Sequence, residues 1–191
     1  MTRAFTRLAF SASVKAAQTR YGAREHGARL EAAEPARDRL NDDLVAFLAG
    51  TDSFFIGTAS RDGTPHVQHR GGPRGFLKVL DRQTLAFADF AGNKQYITVG
   101  NLGENDRVML FVIDYELGRR LKIWGRAEVV DDDPALLAQV RDADYPASVE
   151  RVIRIDVLAW DLNCRQHFPK LVHRAEAAEP PGRSEGAPGL R

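Results

Sequence analysis

The spacing of apolar residues changes character along the chain. From residue 11 to 31 Ala-rich stretches of helical composition are broken at Gly22 and Gly27. Leu40, Leu44, Val45, Phe47 and Leu48 then fall roughly on one helical face, with Asn41 or Asp42 as cap and Gly50 as stop. After Thr51 the period drops to two. Ser53–Ser60 (SFFIGTAS) and Thr64–His69 (TPHVQH) flank Asp62-Gly63, which predicts a hairpin. Gly75–Leu80 (GFLKVL) and Thr84–Asp89 (TLAFAD) form a second pair around Asp81-Arg82. Asn93–Leu102 predicts a short helix that starts at Gly92 or Asn93.

Arg107–Tyr115 (RVMLFVIDY) is almost continuously apolar and predicts a strand buried on both faces. In Arg119–Asp131, Leu121, Ile123 and Gly125 alternate with Lys122, Trp124 and Arg126, as in a half-exposed strand. Asp133-Pro134 opens a helix to about Arg141, and Val149–Asp161 is the last strand. Hairpin spacing with short inserted helices predicts an α+β fold: a small, closed antiparallel barrel of six strands with N-terminal and inserted helices. The expected division is an N-terminal helical extension over 1–50 packed on the barrel, a barrel over 51–172, and a disordered Pro/Gly-rich tail over 173–191.

Hydrophobic residues make up 43% of 191, enough for a core. Lys+Arg 27 against Asp+Glu 26 gives a net charge of +1, so no global field draws nucleic acid or a membrane surface. Cys164 is the single cysteine, which excludes an intrachain disulfide framework and fits a reducing compartment; a cytoplasmic protein is expected. The acid-poor start (Arg3, Arg7, Lys15, Arg20 and Arg24 before Glu25) superficially resembles a transit peptide but is better read as a helix of the mature domain.

The densest chemistry lies between His66 and Asn101. Gly71, Gly72, Pro73 and Gly75 separate two strand-like runs, Arg70, Arg74 and Lys78 lie beside them, and a turn at Gly92 delivers Asn93 and Lys94. Backbone N–H groups and cations so placed suit a phosphate, whose two-fold charge demands such donors once it leaves water. Lys94 in the first turn of a helix opposes the macrodipole unless a bound phosphate shares that end. The competing reading leaves both lysines solvated and the glycines as plain turn residues. His66 and His69 on a strand point to opposite faces, which argues against a metal site. Asp131, Asp132 and Asp133 suit capping and solvation.

Taken together, RGGPRGFLKVLD, LAFADFAGNKQY, DRVMLFVIDY and RRLKIWGRAEVV resemble the pyridoxamine 5′-phosphate oxidase-like, FMN-binding split-barrel superfamily. The Arg70–Pro73 segment, the N-terminal helices and NCRQHFPK (Asn163–Lys170) resemble its flavin-nucleotide-binding branch. The resemblance implies FMN as cofactor, held at a homodimer interface. It places Lys78 near the flavin ring and ribityl chain, and Phe87, Ala88 and Asp89 at the isoalloxazine edge. Asn93 and Lys94 match the phosphate pair, and Arg120 takes a ring position. From the residues themselves, His69 beside Arg70 is read as facing the flavin and both are counted as cofactor-binding, with a hydrogen-bonded core or rim histidine as the competing reading of His69. Asn163, Gln166 and His167, with Trp160, are the residues expected to reach a second copy. Pro73 stands where the oxidases carry a leading arginine, and Arg165-Gln166-His167 matches their substrate motif only in spacing, so pyridoxamine phosphate oxidation is not implied. The implied function is an FMN-dependent oxidoreductase acting on an unidentified small substrate. A non-catalytic flavin carrier or sensor is the alternative, and F420 or haem a third, with His69 or His167 as haem ligand.

Overall fold

A computed structural model of the chain describes residues 3–33, 35–163, 167–169 and 171. The expected tail over 173–191 lies outside the described residues. In chain order the elements are α1 (Ala4–Ala9), α2 (Ala12–Arg20), α3 (Arg24–Ala32), α4 (Asp42–Ala49), β1 (Ser53–Ala59), β2 (Pro65–Gly71), β3 (Lys78–Asp81), β4 (Thr84–Phe90), α5 (Ile97–Glu104), β5 (Arg107–Asp114), β6 (Arg119–Val130), α6 (Pro134–Val140) and β7 (Val149–Leu162).

Local chemistry sets the helix ends. Asn41 Oδ1 accepts from the Leu44 amide at 2.9 Å and caps α4, and Asp133 Oδ1 does the same for the Leu136 amide of α6 at 2.9 Å. Gly22, at φ +71°, separates α2 from α3. Gly27, expected to break a helix, instead lies inside α3, where a Cβ would run into the Gln18 side chain of α2.

The strands form one antiparallel sheet in the order β2-β1-β5-β6-β7-β4-β3. There are seven strands rather than the six expected, because every apolar run named above forms its own strand and the short β3 adds an edge beside β4. The backbone ladder is also not closed: β2 and β3 are its two ends. Side chains fill the split instead. Phe54 of β1 packs against Phe76 and against Phe87 of β4, with ring centroids 5.4 and 5.2 Å apart. Around them Ile56, Leu85, Leu110, Leu121, Ile123, Ile153 and Ile155 are fully buried, and Leu44, Phe47 and Leu48 of α4 close one end of this core.

The outer faces are covered unevenly. Helix α6 packs Leu136 and Val140 on Ala86 and Ala88 of β4 and Val152 of β7. Helix α1 packs Phe5 on Ala159, its ring stacked 6.2 Å from Trp124. Strand β5 was expected to be buried on both faces and is not. Val108, Leu110 and Val112 are buried, but Met109 and Phe111 are half-buried, because among the described residues no helix packs on the outer face that they share with Phe55. Strand β6 does alternate as predicted, with Leu121 and Ile123 inward. Among the described residues no helix is long and apolar enough to cross a membrane.

Candidate functional site

Strands β2 and β4 flank the split. On β4, Leu85 and Phe87 face the barrel core while Ala86 and Ala88 face α6. Strand alternation therefore turns Asp89 inward, and it is only 4% exposed. A carboxylate so buried needs partners. Arg70 Nη1 donates to its Oδ1 at 2.6 Å, and Arg151 Nη1 of β7, the residue directly opposite in the ladder, donates to Oδ2 at 3.2 Å. The Arg70 guanidinium also lies 5.9 Å from the Phe87 ring centroid. For Arg151, burial disfavours the charge, but Asp89 and Glu150 more than offset it and raise its pKa above the usual arginine value.

Beyond β4 the backbone bends sharply. Lys94 and Tyr96 adopt φ of +59° and +52°, and Asn93 Oδ1 accepts from the Gln95 amide at 3.1 Å. These left-handed residues delay α5 to Ile97, so the helix expected from Asn93 is shifted down the chain. Lys94 therefore precedes the helix instead of sitting in its first turn. Tyr96 offers no side-chain cap, which leaves the first amides of α5 for a ligand or water.

These parts surround a cavity of about 240 Å³ lined by residues 68–71, 87–90 and 92–99 together with Phe76 and Glu150. Its two carboxylates are already engaged: Asp89 by the two arginines, and Glu150 by Arg151 at 3.2 Å and by the Tyr96 hydroxyl, which donates at 3.1 Å. Lys94 is exposed on its wall, and the Arg70 Nε is buried with no hydrogen-bond partner among the described residues.

Of the residues singled out in the sequence, the cavity gathers His69, Arg70, Phe87, Ala88, Asp89, Asn93 and Lys94. Lys78 is not in its lining. It stands opposite Ala86 in the β3–β4 ladder, which puts it on the α6 side of the sheet, away from Phe87 and Asp89. Arg120 and Asn163 line a second hollow of about 250 Å³ with Leu44, Phe47 and Leu162. There the Asn163 amide donates to the Arg120 carbonyl at 3.0 Å, and the Arg120 guanidinium lies 5.1 Å from the Phe168 ring centroid. His167 is exposed, with φ +53°, and Gln166 lies outside the described residues. Trp160 does not present itself to a second copy. It is 5% exposed in its own core, and its Nε1 donates to the Arg39 carbonyl at 2.8 Å.

The glycine-rich segment also behaves differently from expectation. The Gly72 amide donates to the Asp52 carbonyl at 3.0 Å and the Gly75 amide to the Thr51 carbonyl at 2.8 Å, so these N–H groups tie the segment to the start of β1. Gly75 needs its residue type, at φ +74° with a Cβ position 3.0 Å from the Ala49 carbonyl oxygen. His66 pairs with Thr58 and His69 with Phe55, whose ring lies 5.5 Å from that of His69. No group of three metal-ligating side chains occurs among the described residues. Arg151, Glu150 and Tyr96 were not legible as site residues, since only the β4–β7 register brings Arg151 to Asp89.

The family model described as pyridoxamine 5′-phosphate oxidase matches residues 40–164. The structure of HupZ from Group A Streptococcus is similar at a TM-score of 0.50 and 16% identity, covering 70% of this chain and 100% of that one. A candidate pyridoxamine 5′-phosphate oxidase from Lactobacillus delbrueckii has a TM-score of 0.50 and 19% identity, covering 65% of this chain and 94% of that one. The FAD binding protein from Mycobacterium smegmatis is more distant, at a TM-score of 0.45 and 20% identity over 65% of this chain and 95% of that one. No curated protein matches. The family match spans well over half of the chain, including all seven strands and α4, and the chain belongs to the pyridoxamine 5′-phosphate oxidase family.

Proposed function

We propose that the protein binds FMN with its phosphate in the cavity between β2, β4 and the bend before α5, and that it works as an FMN-dependent oxidoreductase on a small substrate. One observation carries this reading. Lys94, Arg70 and the uncapped start of α5 converge on a space whose own carboxylates are already paired. The unpartnered Arg70 Nε fits the same picture, since a buried donor without an acceptor costs about 1–3 kcal/mol. A short phosphate-ended cofactor suits a compact anion site better than the long tail of F420. Membership of the family supports a flavin.

The cavity, at about 240 Å³, is smaller than the roughly 300–1,000 Å³ typical of a site that encloses a ligand of this size. One chain therefore holds the charged end, and a second copy completes the site. The surface available for that copy is the outer face of β1, β2 and β5, where Val67 is 66% and Phe55 36% exposed beside Met109 and Phe111. His69 lies on this face next to Phe55.

When bound, the isoalloxazine supplies the redox step by accepting and passing on a hydride. The chain's own residues contribute orientation, positive charge and exclusion of water, and none is assigned as a covalent catalyst. The test is the visible spectrum of purified protein after titration with FMN, followed by mixing with NADH or NADPH. Flavin binding and reduction are expected. Binding without reduction by either donor or by a substrate panel would favour a carrier, and no flavin binding would overturn the reading.

A further inference from the structure

We propose that Arg151 is the positioning residue of the phosphate site: from behind the cavity wall it sets Asp89, and through it Arg70, while also fixing the bend at Tyr96. The inference rests on the FMN reading and deepens it. Arg151 is not part of the cavity lining, and its side chain is only 14% exposed. One guanidinium meets four groups. Nη1 donates to Asp89 at 3.2 Å, Nη2 lies 3.2 Å from Glu150 Oε2, Nε lies 3.5 Å from Asp131 Oδ1, and the central carbon sits 5.0 Å from the Tyr96 ring centroid. The Tyr96 hydroxyl closes the circuit on Glu150 at 3.1 Å.

Two consequences follow for the cavity. Arg151 occupies Asp89 Oδ2, so Arg70 binds through Nη1 to Oδ1 alone and keeps its remaining N–H groups free of that carboxylate. Without Arg151 the Arg70 fork would close on both oxygens in the bidentate arrangement that arginine prefers, and would be drawn away from a ligand. Secondly, Tyr96 holds a left-handed backbone without being glycine, a conformation that persists only when its surroundings impose it. The Arg151 face and the Glu150 carboxylate are those surroundings, and they aim Lys94 and the first amides of α5. A lysine would keep the charge but lacks the planar fork needed to meet Asp89, Glu150, Asp131 and the ring together.

The experiment compares FMN with riboflavin, which lacks the phosphate, by equilibrium titration of the full chain and of Arg151→Met and Arg151→Lys. Wild-type protein is expected to prefer FMN. Arg151→Met should lower FMN affinity at least tenfold and leave riboflavin affinity unchanged, and Arg151→Lys should recover only a small part of the preference. Should Arg151→Met not fold, Arg151→Lys alone decides, through the same FMN-to-riboflavin ratio. A ratio equal to wild type in the folded variants, or equal losses for both ligands, overturns the positioning role alone. A wild-type protein with no preference for FMN overturns the phosphate reading and this inference with it.

Discussion

Arg70 on β2 and Asp89 on β4 meet at 2.6 Å, although β2 is laddered to β1 and β4 to β3 and β7. The ion pair bridges the split where backbone hydrogen bonds do not, and it does so at the edge of the phosphate cavity. With Arg151 on the other oxygen, the carboxylate also links β7 to that seam.

Removing this carboxylate should leave two guanidinium groups, 19% and 14% exposed, without their shared partner. Breaking a buried pair from one side typically costs about 3–5 kcal/mol. Because both arginines keep some contact with water, Asp89→Ala is expected to destabilise the fold by about 3 kcal/mol at neutral pH. Denaturant unfolding is the check, and an unchanged midpoint would show that the seam is held by the aromatic cluster alone.

The outer face of β1, β2 and β5 carries a second prediction. Phe55→Glu places a charge on the apolar surface assigned to the second copy, where Phe55 is 36% exposed and costs the monomer little to replace. Light scattering should report a dimer for wild type and a monomer for the variant, which keeps its secondary structure by circular dichroism and loses the concentration-dependent part of the wild-type melting temperature. Wild-type protein that is monomeric at tens of micromolar would remove this face from the account.

Gly125 offers a test of the fold itself. It sits at the register shift between β6 and β7, where a Cβ would lie 2.7 Å from Ile155 Cγ2 and 2.8 Å from the Asp156 carbonyl oxygen. The strand backbone cannot move aside cheaply, so Gly125→Ala should destabilise by about 1–3 kcal/mol, as overpacking does. Thermal or denaturant unfolding measures this, and a neutral result would mean that the shift relaxes without loss.

The strands were readable because their chemistry is local. The Asp62-Gly63 turn, with Gly63 at φ +83°, and the caps at Asn41 and Asp133 stand where residue type alone places them. The cluster of Arg70, Phe87, Asp89, Asn93 and Lys94 was readable through family resemblance, and the structure brings those residues to one cavity. What could not be read depends on pairing between distant segments. The face on which Lys78 stands and the meeting of Arg151 with Asp89 are both set by ladder register. The late start of α5 turns on left-handed backbone at Lys94 and Tyr96, and neither residue type announces it. Half-exposure of Met109 and Phe111 likewise depends on what covers the sheet, which the run RVMLFVIDY does not encode.

The most direct test of the account is the affinity of wild type and Lys94→Ala for FMN and riboflavin, measured side by side. Wild type should favour FMN, and the substitution should weaken FMN binding by about 1.5–3 kcal/mol, the scale of a charged hydrogen-bond partner, while riboflavin binding stays as it was. Wild-type FMN affinity in Lys94→Ala would contradict the assignment of this cavity to the phosphate.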